Sequence, residues 1–159
     1  MALKKPFPLY PVYNELKDIS LSDYPQLKSQ LEGMNDWQRK HYSWGQMFLE
    51  YIGRNKSEHT YTRFRNETER FLLWTILIKE KPIDTFKKSD ILEYADFCWK
   101  PPASWIATHN HDKFTWDEGF FKSNKSWRPY KIQAPKSQKD KEISKKKYKP
   151  SQQTLAAKF

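Results

Sequence analysis

Residues 57–81 read SEHTYTRFRNETERFLLWTILIKEK, a stretch with no proline or glycine and long enough for about six helical turns. Tyr61, Phe64, Thr68, Phe71, Thr75 and Ile78 recur at spacings of three and four, which puts them on one stripe of a helix. Arg63, Asn66 and Arg70 recur at the same spacing on a different face. The stretch therefore predicts a two-faced helix, apolar on the side built for a core and basic on the side built for a surface. Ser57 is the predicted N-cap, Glu58 favours the first turn, and Pro82 closes the helix.

Working outward, the spacing predicts a second helix over 36–52, with Asp36 as N-cap. Trp44, Met47, Phe48, Tyr51 and Ile52 are its apolar stripe, joined by Trp37 from the first turn, and Gly53 ends it. Arg39, Lys40 and His41 cluster near its start, the unfavourable end for cations with respect to the helix dipole, which points to an external anion. Arg54-Asn55-Lys56 link the two helices with two further cations. Upstream, Ser22 caps a short helix with Pro25 in its first turn. Leu27, Leu31 and Met34 line one face of it, and Gly33 and Asn35 stop it. Pro6, Pro8 and Pro11 make the first 21 residues extended chain that packs Phe7, Tyr10 and Tyr13 on the body. Downstream, a helix over 89–99 carries Ile91, Leu92, Tyr94, Ala95 and Cys98 on its apolar side before Pro101-Pro102 force an end.

From residue 101 the character changes. Pro101, Pro102, Pro129, Pro135 and Pro150 interrupt the chain, and isolated aromatics such as Trp105, Trp116 and Trp127 predict a long loop anchored by tryptophans. Residues 131–150 hold eight lysines and two acids, a composition of disordered or merely tethered chain. Residues 151–159, Ser-Gln-Gln-Thr-Leu-Ala-Ala-Lys-Phe, look like the first turns of another helix, with Leu155 and Phe159 four apart on one face.

The totals narrow the function. The 159 residues suggest one domain with extensions, and aromatics at 16% can build a compact core from few side chains. A formal charge of +10, from 29 Lys+Arg against 19 Asp+Glu, favours a polyanionic partner, either nucleic acid or an anionic membrane. The single Cys98 rules out an internal disulfide framework and fits a reducing cytoplasm. No run approaches the ~20 apolar residues of a membrane span, so no membrane partner is expected. Cys98, His109, His111 and Asp112 lie close in sequence but match no paired ligand motif, so no metal is expected. Cys98 on an apolar helix side reads as a small buried hydrophobe. Four glycines leave no phosphate-cradling loop, no serine sits in a nucleophile context, and Glu67, Glu69, Glu93 and Asp96 read as solvated or ion-paired helix carboxylates. No catalytic residue and no cofactor are expected.

What survives is nucleic-acid binding by Arg39-Lys40, Arg54-Lys56, the arginines of the central helix, Lys87-Lys88 and the lysine-rich tail. Arginine and asparagine are the residue types that read base edges and phosphates, and the backbone N–H groups of residues 57–60 can bind a phosphate. The competing reading pairs these arginines with Glu67, Glu69 and neighbouring acids.

Thr60-Tyr-Thr-Arg-Phe-Arg-Asn-Glu67, then Glu69-Arg-Phe-Leu-Leu-Trp74, Lys81-Pro82, and Ser89-Asp90 with Tyr94 and Phe97 resemble the N-terminal core-binding region of tyrosine recombinases, the phage-type integrases. Pro101-Pro102-Ala-Ser-Trp105 and Trp127-Arg-Pro-Tyr130 look like an insertion found in one integrase subgroup, and residues 151–159 like the start of the fourth helix. The likeness covers about residues 37–159.

This resemblance implies an all-α, four-helix SAM-like domain over 36–159, with 1–35 as an irregular N-terminal extension. Residues 101–150 would be the long insertion loop and 151–159 the start of a truncated fourth helix. It implies double-stranded DNA as partner, at an attachment or recombination site, together with other recombinase subunits, in the cytoplasm of a prokaryotic or phage context. Carried over by position, Thr60, Thr62, Arg63, Asn66 and Arg70 would face DNA. Arg39 and Lys40 would face phosphates, with Arg54 and Lys56 in the linker beside them, and Gln152, Gln153 and Lys158 would contribute from the fourth helix. The family's catalytic His-x-x-Arg is missing, since His59 is four residues from Arg63. The chain is therefore expected to bind DNA without cutting it, its catalytic domain being absent. The alternatives are a subunit-assembly module acting through the aromatic loop and N-terminal segment, or a basic RNA-binding domain, which would expose aromatics for base stacking.

Overall fold

The computed structural model describes residues 4–11 and 20–132. Among these it forms α1 (Pro25–Glu32), α2 (Asp36–Asn55), α3 (Glu58–Trp74) and α4 (Lys88–Trp99). Four short strands follow: β1 (Ile106–Ala107), β2 (Phe114–Asp117), β3 (Phe120–Ser123) and β4 (Tyr130–Lys131). The chain is mostly helical, and the strands correct the all-α expectation. The lysine-rich stretch beyond 132, the helix expected over 151–159 and Tyr13 lie outside the described residues.

Local side-chain chemistry sets the helix ends. Asn35, one residue before the expected Asp36, caps α2. Its Oδ1 accepts from Gln38 N at 3.1 Å while Gln38 Oε1 accepts from Asn35 N at 3.0 Å, a reciprocal box that satisfies two end groups. Gly53 does not end α2, which continues to Asn55. Ser57 caps α3 as expected, its Oγ accepting from Thr60 N at 3.2 Å. After Trp74 the helix widens into a π turn over Thr75–Lys79, with Glu80 N donating to Thr75 O at 2.8 Å. Thr75 Oγ1 donates back to Phe71 O at 2.8 Å, a side-chain bond that bends helices. Glu80 then turns left-handed at φ 53 and ends the element ahead of Pro82. Asp90 fastens α4 to this end, because Lys79 and Lys81 each reach its carboxylate at 2.8 Å and Lys87 N donates at 2.7 Å. These bonds hold its carboxyl well below the usual carboxylate range.

The core sits between α2 and α3, with the N-terminal segment laid across them. Leu27, Leu31 and Met34 are buried as their spacing predicts. On α2 the expected stripe is buried at Ile52 and partly at Trp37, while the rest of it is exposed. Trp44 is 44% exposed, Met47 66% and Tyr51 61%, and Phe48 is exposed beside them, whereas Tyr42, Gly45, Leu49 and Ile52 are buried. The helix is turned by about one residue, roughly 100°, so that Gly45 faces inward. Tyr10 and Leu72 occupy the space a side chain there would need. Tyr10 is itself fully buried, stacks on Tyr42 with ring centroids 5.1 Å apart, and donates its hydroxyl to Tyr42 O at 2.8 Å. Tyr61 donates its hydroxyl to Pro11 O at 2.9 Å. On α4, Ile91 and Leu92 are exposed, and Asp90, Tyr94 and Cys98 form the inward side.

The stretch expected as an anchored loop is built on two small sheets. β2 and β3 form an antiparallel hairpin pairing Phe114 with Ser123 and Trp116 with Phe121. Its two-residue turn places Glu118 at φ 50 and Gly119 at φ 92, a turn whose twist suits a hairpin and which favours glycine. Tyr24 stacks on Phe121 and meets Phe114 edge-on, and Ser123 N donates to Gln26 Oε1 at 3.1 Å, docking the hairpin on α1. β1 and β4 pair in parallel, Ile106 with Tyr130, so the region closes on itself. Trp105, fully buried, donates its indole N–H to Lys4 O at 3.2 Å.

Candidate nucleic-acid interface

α3 is two-faced, and its apolar stripe is divided: Tyr61 and Thr75 are fully buried as predicted, whereas Phe64 is 41% exposed. Thr68 and Phe71 of the stripe border an open groove of about 410 Å³, walled also by Trp44 from α2 and by Ile91 and Tyr94 from α4. Phe48 and Phe64 meet edge-on at 5.6 Å, both substantially exposed. At the groove's floor the buried His41 accepts from Ile83 N through Nε2 at 2.9 Å. That bond places the ring proton on Nδ1, and burial lowers the imidazole pKa.

The polar side is covered around Glu69 and Arg70, while Arg63 stays exposed. Glu69 is buried and accepts from Leu9 N at 2.7 Å and Tyr10 N at 3.1 Å. It also pairs with the buried Lys113, whose ammonium lies 5.1 Å from the Trp127 ring centroid. Arg70 donates through Nε to Pro129 O at 2.7 Å, pairs with Glu67 at 2.9 Å, and lies over the Tyr130 ring at 5.0 Å. Glu69 and Arg70 thus bind irregular backbone that would otherwise have buried, unmet donors and acceptors.

The other predicted site residues divide accordingly. Arg39 is committed to the fold. Its Nη1 donates to the carbonyls of Leu31 and Glu32 at 3.4 Å each and to that of Met34, and its Nη2 reaches Asp36 at 2.6 Å. It stands at the start of α2 but against the C-terminal end of α1, the end of a helix that favours a cation. The anion expected from its position is therefore internal. Lys40 is exposed, 5.5 Å from the Trp44 ring centroid. Arg54 and Lys56 are exposed at the α2–α3 turn, and Arg63 is exposed on α3. Thr60, half-buried, accepts from Ser57 Oγ at 3.0 Å, and Thr62 is half-buried. Asn66 accepts from Arg65 Nε at 3.3 Å and Nη2 at 3.1 Å. Gln152, Gln153 and Lys158 lie outside the described residues.

Beside α3, where the β1–β2 and β3–β4 connections cross it, lies a polar cavity of about 170 Å³. Arg65, Arg70, Lys113, Arg128 and Lys131 line it. Lys113 and Arg128 stand outside the cations the sequence singled out as readers, and Lys131 is the first lysine of the lysine-rich tail. Arg128 was legible only as part of the Trp127–Tyr130 motif, and nothing local in the sequence brings Lys113 to Glu69. Among the described residues no cluster of metal-ligating side chains occurs. Cys98 is buried with its Sγ 3.4 Å from the Tyr130 hydroxyl, while His109 and His111 are exposed at the cavity. Among the described residues no helix is long and apolar enough to cross a membrane. No family model, no curated protein and no solved structure matches the chain.

Proposed function

We propose that the chain is a double-stranded DNA-binding module, the SAM-like core-binding domain of a site-specific tyrosine recombinase whose strand-cleaving chemistry resides in another domain. The supporting observation is the line of exposed cations formed by Arg54 and Lys56 at the α2–α3 turn and Arg63 on α3. From residue 57 to residue 63 that face runs about 9 Å at 1.5 Å per residue. In this reading Arg63 and Thr62 approach the groove, and Lys40, Arg54 and Lys56 meet phosphates. Arg39 and Arg70, held by internal partners, position α2 and α3.

The test is fluorescence-anisotropy titration of a labelled duplex at several salt concentrations. Log affinity falls with log salt at about -0.9 per phosphate neutralised. Replacing Arg54, Lys56 and Arg63 together by Ala weakens binding and flattens that slope. Unchanged affinity and slope refute the interface, and single-stranded RNA competing better than duplex DNA transfers the reading to RNA.

A second reading, recombinase subunit assembly, is favoured by Trp116 and Phe120, exposed on the β2–β3 hairpin at 62% and 48%. Its occupant is a second copy of the chain. Light scattering that reads a monomer across the accessible concentration range removes it.

A further inference from the structure

We infer that the cavity between α3 and the connections flanking the β2–β3 hairpin is a phosphate-binding site, taking either the backbone phosphate of a nucleic acid or free inorganic phosphate. The inference goes beyond the duplex reading, because a pocket for free phosphate requires no DNA.

The cavity gathers more cations than carboxylates. Lys79 and Lys81 on α3's end and Lys122 on the hairpin each meet a carboxylate. In the cavity Arg65, Arg128 and Lys131 have no carboxylate partner among the described residues; neutral oxygens hold them. Arg65 bonds Asn66 Oδ1. Arg128 Nη1 donates to Lys125 O at 2.8 Å and Trp127 O at 2.7 Å. Lys131 donates to Asn110 Oδ1. Such contacts aim a cation without cancelling its charge. Arg70 and Lys113 add two more cations, and the carboxylates beside them, Glu67 and Glu69, are bonded to these two and to the Leu9 and Tyr10 amides. Five cations therefore surround one space with a net excess of positive charge.

Size and shape select the anion. At about 30 Å³ per water, 170 Å³ holds five or six waters, enough for the five heavy atoms of a phosphate group but not for a base with its sugar. Two guanidinium groups and an ammonium from two separate chain segments, α3 and residues 128–131, suit an anion with several oxygens pointing in different directions better than a planar carboxylate. Burial supports the same occupant. It brings the Lys113 ammonium down to about 7 against the opposing pull of Glu69, with Arg65 and Arg70 pushing the same way as burial. An anion in the cavity reverses that balance.

The experiment is an NMR titration of the full chain with inorganic phosphate at constant ionic strength, following backbone and arginine side-chain resonances, alongside duplex titrations. Phosphate shifts the resonances of residues 65–70, 109–113 and 127–131 with a single affinity. Arg65→Gln with Lys131→Gln weakens that affinity at least tenfold while the melting temperature holds, and Lys28→Gln, at an exposed position on α1 outside the cavity, leaves it unchanged. Lys131→Gln alone, altering a side chain tied only to Asn110, serves if the double variant fails to fold. If the double variant also lowers the duplex salt slope by about one, and free phosphate competes with duplex, the source is a nucleic-acid phosphate. If phosphate binding is lost and duplex binding is untouched, the source is free phosphate. Shifts spread evenly over surface lysines, or a double variant that binds phosphate like the parent, overturn the assignment. So does a glutamate-rich peptide shifting these resonances when phosphate does not.

Discussion

Gly45→Ala tests the packing of α2 on α3 through the sign of its effect. In an exposed helix interior this exchange stabilises by about 0.8–1.0 kcal/mol, because alanine loses less backbone freedom on folding. Here a Cβ at residue 45 would stand 2.1 Å from the Tyr10 hydroxyl and 2.9 Å from Leu72 Cδ1. The tyrosine cannot swing aside, since it is fully buried, stacked on Tyr42 and bonded to Tyr42 O. Overpacking of this kind costs about 1–3 kcal/mol, and displacing the hydroxyl forfeits a further ~1 kcal/mol of hydrogen bonding. Offset by the helix gain, the net loss is about 1–3 kcal/mol. Urea unfolding followed by circular dichroism measures it, and at this chain length each kcal/mol lowers the melting temperature by about 2–4 °C. Tyr10→Phe alone costs about 1 kcal/mol through the lost bond to Tyr42 O. Because it removes the atom nearest the new methyl, the double variant is more stable than the sum of the two by about 0.5 kcal/mol or more. If Gly45→Ala raises the melting temperature, α2 presents its Trp44–Tyr51 stripe inward and the packing described above is wrong.

Two further outcomes follow from the same structure. Leu49→Ala, at a fully buried position, costs about 2–5 kcal/mol, whereas Met47→Ala, at a position 66% exposed, changes stability by less than about 0.5 kcal/mol; equal costs in urea titrations would contradict the rotation of α2. Lys113 gives stability a pH dependence. The unfolded lysine keeps its proton to about 10.4 while the folded one releases it at about 7, so between these values the unfolded state binds more protons and stability rises with pH, by up to about 1.4 kcal/mol per unit. Unfolding curves between pH 7 and pH 9 show this rise in the parent and not in Lys113→Met; parallel curves would mean that Glu69 keeps the ammonium charged throughout.

The helices were legible because their signals are local. Pro25 at a first turn, Ser57 as a cap and Pro82 as a stop act on neighbouring residues alone. The inward face of α2 was not legible, because two stripes compete on it and the aromatic one is the larger. What selects the other is Gly45, whose missing side chain admits Tyr10 from a distant part of the chain. The hairpin had a readable signal that was passed over. Phe114–Asp117 and Phe120–Ser123 are aromatic-rich runs separated by Glu118-Gly119, the length of a tight hairpin turn. The cavity cations were visible individually as charge, but their convergence is tertiary and leaves no spacing to detect.

The burial of charged groups on α3 has a general cause. Periodicity assigns a helix's apolar face to the core on the assumption that the covering layer is another helix or a sheet, which brings apolar side chains and keeps its backbone bonded to itself. The layer over α3 here is largely irregular chain, the segment through Leu9 and Tyr10 and the turns around Pro129. Such chain brings backbone N–H and C=O groups that need partners once buried. A carboxylate and a guanidinium supply them, which an apolar stripe cannot do. Glu69 takes two amides and Arg70 gives to one carbonyl, so the charged face is the one suited to this cover. The apolar stripe is buried at Tyr61 and Thr75 and borders an open groove toward α2 and α4 at Thr68 and Phe71, with Phe64 and Ile91 exposed. Among the described residues, Arg63 is the exposed arginine of the predicted row.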